Sequence, residues 1–266
     1  MVEILTKKKK SKWVDPPKKT KIWRYMDTSK FISMLSKKAL IFSRVDKFDD
    51  PFEGSYSMLS IKMRESYDPH ITDKDRKKIS ELYNKFRAYT FVNCWHMNEF
   101  ESDAMWKLYL KSNDGVAIQS TYNKLIKALN KGKDEPAILV GQVKYIDYEN
   151  DFMVDHYPIY AYYYKRRSFE HERELRASFT RIPAENGSFI NLASMKKDDY
   201  EIAIDHSIDL DNTVEIIPIN LNALIENIYV PPTADDWFKE AIESLLKKFK
   251  LNKKVKRSEL KKDPIF

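Results

Sequence analysis

Thr90-Phe91-Val92-Asn93-Cys94-Trp95, then Ser102-Asp103-Ala104-Met105-Trp106-Lys107-Leu108-Tyr109, then Gly115-Val116-Ala117-Ile118-Gln119-Ser120-Thr121 make one run of three short pieces. The outer two are rich in β-branched and aromatic residues, as strands are. The middle one offers Ser102 or Asp103 as a cap and sets Met105, Trp106 and Tyr109 on one helical face. A further helix holding Leu125, Ile126 and Leu129 follows the last strand. Strand, helix, strand, helix in so little chain predicts short mixed elements.

The same texture extends outward. Upstream, Ile22 to Met26 reads as a strand, and Asp27 or Thr28 caps a helix carrying Phe31, Met34 and Leu35. Leu40 to Ser43 is a second strand. Thr72 and Asp75 resemble a capping box ahead of Ile79, Leu82, Tyr83 and Phe86. Downstream, residues 137–146 read as one long strand and 160–168 as helix or loop. Glu172 to Thr180 alternates Leu175, Ala177 and Phe179 with Glu174, Arg176 and Ser178, a strand with two unlike faces. Val214 to Ile219 and Asn227 to Val230 are further strands. Ala234 to Phe249 is a helix with Trp237, Ala241, Ile242, Leu245 and Leu246 as its stripe, and Lys254 to Ser258 a last edge strand. Without strict strand–helix–strand alternation, the class is α+β: a mixed, mostly antiparallel sheet with surrounding helices.

Length and composition agree with a globular chain. There are 266 residues, 33% charged and 42% hydrophobic, and no run approaches the ~18 apolar residues of a spanning helix. Five glycines in no G-x-G-x-x-G or G-x-x-x-x-G-K order exclude Rossmann and P-loop phosphate cradles. The single Cys94 excludes an internal disulfide and points to a reducing, cytoplasmic setting. No secretory signal is read at the start. Histidine spacing offers no zinc site, and Cys94 before Trp95 reads as a buried hydrophobe rather than a nucleophile paired with His96.

Charge is concentrated at the ends. Residues 1–21 carry a net +6 and residues 247–263 a net +7, against +7 for the whole chain. The expected layout is a flexible basic arm over 1–21, one α+β domain over 22–260 and a tail over 261–266. Solvated termini explain such charge, and so does a phosphate-binding surface for nucleic acid if the two ends converge.

Four blocks carry candidate chemistry. They are Trp23-Arg24-Tyr25-Met26; Ser43-Arg44 running through Phe48, Asp49, Asp50, Pro51, Phe52, Glu53 and Gly54; Met105 to Tyr109 with Gly115 to Thr121; and Lys165 to Arg176. In this order they resemble an uncharacterised bacterial domain family. Its members have a Tyr-Arg-Tyr-like strand, an S-R-x-x-x-F-x-D-P-F-E loop, an M-W-x-x-Y helix and an E-x-E-x-R strand. Tyr229 to Leu260 extends the likeness, and the family brings no settled function.

The chain is also distantly similar to ADP-ribosyltransferases of the Arg-Ser-Glu type, with Arg24, Ser120-Thr121 and Glu172-Arg173-Glu174 in that family's order. The resemblance implies NAD as substrate, with Arg24 on its phosphates or ribose. It implies Ser120 supporting the site, Glu174 as the catalytic carboxylate and Glu172 orienting the acceptor. Tyr122 stands where that motif has a third residue, Ser. The chemistry is coherent: a carboxylate stabilises the oxocarbenium-like state of nicotinamide loss. Tyr25, Phe48 and Trp106 offer rings for stacking, Arg44 offers a second phosphate ligand, and Thr121 completes the pair with Ser120.

Each residue also has a structural reading. The two glutamates can form a solvated face or ion-pair with Arg173 or Arg176, Ser120-Thr121 can cap the next helix, and Arg24 can be an ion-pair partner. The loop at 44–54 can be a rigid turn anchored in the core by Phe48 and Phe52. The sequence thus predicts an NAD-consuming transferase or glycohydrolase, of the kind used by toxins and anti-phage effectors on nucleic acid or protein. The alternative is a non-catalytic nucleic-acid- or nucleotide-binding module with basic termini. A magnesium nuclease using Asp46, Asp49, Asp50 and Glu53 ranks last, without paired-metal spacing.

Overall fold

The computed structural model describes residues 2–4, 15–67, 70–110, 114–130, 136–153, 158–192, 205, 207–262 and 264–265. The lysine run at 7–12 lies outside them. In chain order the elements are β1 (Val2–Ile4), β2 (Lys21–Asp27), α1 (Thr28–Lys37), β3 (Ala39–Arg44), α2 (Met58–Tyr67), α3 (Asp73–Tyr89), β4 (Thr90–Met97), α4 (Asp103–Tyr109), β5 (Gly115–Thr121), α5 (Tyr122–Leu129), β6 (Ile138–Gln142) and β7 (Lys144–Ile146). They continue with α6 (Pro158–Ala161), β8 (Tyr164–Arg166), β9 (Glu174–Thr180), β10 (Ile182–Pro183), β11 (Phe189–Ile190), β12 (Val214–Pro218), α7 (Leu221–Leu224), β13 (Asn227–Val230), α8 (Asp236–Lys248) and β14 (Val255–Arg257). The class is α+β, with mixed, mostly antiparallel strand pairing and surrounding helices. No helix among the described residues is long and apolar enough to cross a membrane.

The chain forms two compact units. The first comprises Met1–Asp15, Phe42–Asn93 and Gly132–Glu215, the second Pro16–Ile41, Cys94–Lys131 and Ile216–Phe266.

In the second unit β5 is flanked antiparallel by β2 and β13, with Ile22 opposite Ser120, Arg24 opposite Ile118 and Tyr229 opposite Ala117. β14 extends β13 in parallel, and β2 pairs with β4 through Ile22–Met97 and Trp23–His96. Trp23, Tyr25, Met105, Trp106, Ala117 and Tyr229 pack into one aromatic cluster. Asp27 caps α1, accepting from the Lys30 N–H at 2.7 Å, and Thr121 caps α5, accepting from the Lys124 N–H at 3.3 Å. In α8 the buried stripe is Phe238, Ile242 and Leu246, whereas Trp237 is 63% exposed. Ile242 and Leu246 of the expected stripe are buried, while Phe238 takes the inward place expected of Trp237, Ala241 is exposed and Leu245 is half-buried.

In the first unit β6 runs parallel to β1 and antiparallel to β9, with Val140 opposite Ala177. The single strand expected over 137–146 breaks at Val143. That residue's N–H donates to the Glu174 carbonyl at 2.8 Å, the next N–H turns to the Tyr163 carbonyl at 2.8 Å, and β7 then pairs in parallel with β8. The chain changes pairing partner there, which hydropathy does not register. Residues 160–168, expected as helix or loop, contain the end of α6 and all of β8. Helix α3 carries the expected capping box: the Thr72 hydroxyl accepts from the Asp75 N–H and the Asp75 carboxylate accepts from the Thr72 N–H. Phe179 packs between Phe42 and Phe91, at ring-centroid distances of 5.3 and 5.6 Å. Burying such a ring contributes about 1.5–3 kcal/mol.

Candidate active site

The site in the first unit begins with a turn. Asp50 accepts the Phe52 N–H on its carboxylate at 3.1 Å and the Glu53 N–H on its carbonyl at 3.2 Å. Gly54 follows at φ +76°, where a Cβ would stand 2.3 Å from Tyr162 Cε1. The left-handed backbone and the close approach both require glycine. The turn sends Glu53 inward, where it is 1% exposed. Phe52 is not the core anchor the sequence suggested. It is 39% exposed, against Tyr148 and under the Arg166 guanidinium, because Glu53 takes the inward position.

Glu53 meets Arg176, 123 residues away in sequence. Arg176 Nη1 and Nη2 donate to the two carboxylate oxygens at 2.6 and 2.8 Å, a bidentate pair. Arg176 Nε and Nη2 also reach Glu174 Oε2, at 3.1 and 2.7 Å, and Nη1 donates to the Tyr162 carbonyl at 2.7 Å. These bonds occupy all five guanidinium donors. Lys165 Nζ lies 2.7 Å from Glu172 Oε2, 3.3 Å from Glu53 Oε1 and 3.6 Å from Glu174 Oε2. Three carboxylates therefore converge on two cations, and every member is buried.

Burial penalises each charge by several kcal/mol, and mutual pairing offsets it. With one negative charge in excess, the strain falls on Glu172. Burial, then the neighbouring Glu174, push its carboxyl above the usual value. For Lys165 burial acts downward, but Glu174 and Glu53 outweigh it and hold the ammonium above its ordinary value. Tyr145, whose hydroxyl accepts the Glu174 N–H at 2.8 Å, is raised by burial and by the Glu174 charge.

The local backbone differs from expectation in one respect. Glu172 and Glu174 do not share a strand face. Glu172 ends a 3-10 turn over Arg167–Glu172, Arg173 follows at φ 40°, and β9 begins at Glu174. The left-handed residue rotates the chain between the two glutamates, yet both carboxylates reach Lys165. Of the two arginines weighed as their partners, Arg176 pairs with Glu174. Arg173 is exposed. Neither glutamate forms a solvated face.

The other residues singled out in sequence are placed as follows. Arg44 is clamped by Asp46 at 2.7 and 2.8 Å and also donates to the Leu210 carbonyl. Phe48 lies 5.9 Å from the Arg176 guanidinium. Both belong to the first unit. The second unit holds Arg24, whose Nη1 donates to the Cys94 carbonyl at 3.1 Å, and burial pushes this guanidinium below its usual value. It also holds Ser120, fully buried, with Oγ donating to the Leu224 carbonyl at 2.6 Å. The Tyr25 hydroxyl accepts the Ser102 N–H at 2.8 Å, and Trp106 Nε1 donates to Glu101 at 2.9 Å. Arg24 and Ser120 share a face of the β2–β5 pair as diagonal neighbours, two residues apart in register. Glu174 belongs to the other unit.

From sequence Glu53 is a candidate only in the magnesium-nuclease reading, Arg176 only an ion-pair partner, and Lys165 only a member of a candidate block. The spacing of Glu174 and Arg176 on one strand face hints at their pairing, but nothing local joins Glu53 or Lys165 to them. Comparison with protein-family models, curated proteins and solved structures finds no match.

Proposed function

We propose that the chain cleaves the nicotinamide–ribose bond of NAD and transfers the ADP-ribosyl group to an acceptor or to water, in an ADP-ribosyltransferase-like fold. One observation carries this reading. Two buried carboxylates meet at Lys165 in unlike environments, Glu174 fixed by Arg176 and Glu172 with its affinity for a proton raised. Paired carboxyl groups, one of them with a raised affinity for its proton, are the usual equipment for glycosidic chemistry.

In this mechanism Glu174 stabilises positive charge at the ribose carbon as the bond to nicotinamide breaks and nicotinamide leaves with the bonding pair. An oxygen of water or of the acceptor bonds to that carbon, and its proton passes to the Glu172 carboxylate. Arg176 and Lys165 hold the two groups in place. Phosphate binding by Arg24 and Arg44, ring stacking by Tyr25, Phe48 and Trp106, and support from Ser120 and Thr121 remain part of the proposal on resemblance alone. The test is nicotinamide release from NAD, with DNA, RNA or lysate offered as acceptor. The reading expects release above the uncatalysed rate, and its absence from a folded sample overturns it.

A second reading has its own observation. Lys21 near one end and Lys253 near the other share a neighbourhood at Glu226. Lys21 and Lys124 lie 2.6 and 3.1 Å from that carboxylate, and burial and Lys124 push the Lys253 amine down. This crowding of cations supports a phosphate-binding surface in the second unit, and it predicts nucleic-acid affinity falling steeply with salt.

A further inference from the structure

The first unit contains a cavity of about 320 Å³ between α2, α3 and the turn leading into α2, and no member of the carboxylate cluster lines it. Its wall is mainly apolar, with Ile61, Ile79 and the rings of Tyr56 and Tyr83 among its residues. Two arginines break that surface. Arg64 lies over Tyr56 and Tyr83, 4.6 and 5.6 Å from the ring centroids, and donates to the Tyr83 hydroxyl at 2.9 Å. Arg87 enters from α3.

Among the described residues neither Arg64 nor Arg87 has a carboxylate within ion-pair distance. A third arginine at the rim is neutralised: Arg76 lies 3.1 Å from Glu65 and 3.3 Å from Asp73. Among the described residues Arg87 Nε is buried without a hydrogen bond, and the Tyr56 hydroxyl has only the neighbouring Tyr83 to address, without normal hydrogen-bond geometry. A buried polar group left unpaired costs about 1–3 kcal/mol, and one on an unneutralised guanidinium is unusual in a folded chain. An anion seated in the cavity would satisfy both atoms and would sit in a low dielectric between two cations.

We propose that this cavity binds a small organic acid, a planar apolar ring bearing one carboxylate. The volume is that of a small-ligand site. The apolar wall and the tyrosine faces suit a ring, and a guanidinium suits a carboxylate. The site is separate from the NAD reading and stands or falls without it.

The test is calorimetry on the full chain with three pairs of probes: benzoate, indole-3-acetate and naphthalene-1-acetate, each against its neutral amide. At least one carboxylate binds, at least tenfold tighter than its amide. R87M erases that preference. Because the Arg87 stem lies near the Gly54 turn, R64M and Y56F serve as second variants, with a shared weakening expected for the carboxylate only. Equal binding of acid and amide, no binding by any of the three acids, or a preference untouched in R64M and R87M would overturn the proposal.

Discussion

β9 and β5 are strands of seven residues, each sealed from water along nearly its whole length, and they solve the same problem in opposite ways. β5 brings neutral polar groups into the second unit. Ser120 donates to a backbone carbonyl, and Gln119 accepts from Asn227 at 2.7 Å. β9 brings Glu174 and Arg176 into the first unit, where Glu53 pairs with Arg176, Lys165 approaches Glu174, and Glu172 pairs with Lys165. A neutral hydrogen bond contributes about 1 kcal/mol net, whereas breaking a buried ion pair costs about 3–5 kcal/mol. Charge kept in a dry interior at that risk is where chemistry is to be sought.

The largest effect should come from breaking the Glu53–Arg176 fork. Replacing Glu53 with Gln turns an amide NH2 toward the guanidinium, donor against donor. E53Q is expected to lose about 3–5 kcal/mol in denaturant melts. E174Q should lose far less, because Arg176 and Lys165 all address Oε2, an oxygen that glutamine can keep. Equal losses in the two variants would break this account of the cluster. Gly54→Ala ranks next. The φ of +76° and the approach to Tyr162 predict at least about 1–3 kcal/mol, read as a lowered melting temperature. S120A should cost about 1 kcal/mol.

The smallest effect concerns pH. Glu172 has a folded pKa above its unfolded one. Its stabilising contribution is therefore full below the unfolded value and is lost as pH rises through the folded value. The melting temperature of the native chain minus that of E172Q should fall as pH rises from about 4 towards neutrality. A difference that grows with pH would contradict the burial-driven shift.

Much of the fold could be read from local pattern. The Thr72–Asp75 box, the Thr121 cap, the bounds of Asn227–Val230 and the alternation along β9 are contained in a few consecutive residues. The misread features depend on distant partners. Val143 leaves one strand for another, Arg173 adopts a left-handed backbone rare outside glycine, and Trp237 faces outward while its neighbour Phe238 turns in with Ile242 and Leu246. The candidate site was half legible for the same reason. The E-x-E-x-R spacing pointed to Glu174 and Arg176, while Glu53 lies in a loop that looked like a rigid turn and joins the cluster across 123 residues. The opposite faces of β9 looked like one buried and one wet. Both are dry, because the polar face is filled by ions.

The most direct measurement of the central claim is nicotinamide release from NAD by E174Q beside the native chain, with a melting curve for each. The account predicts release reduced at least about 100-fold in a variant that still melts cooperatively. Undiminished release by folded E174Q would contradict it.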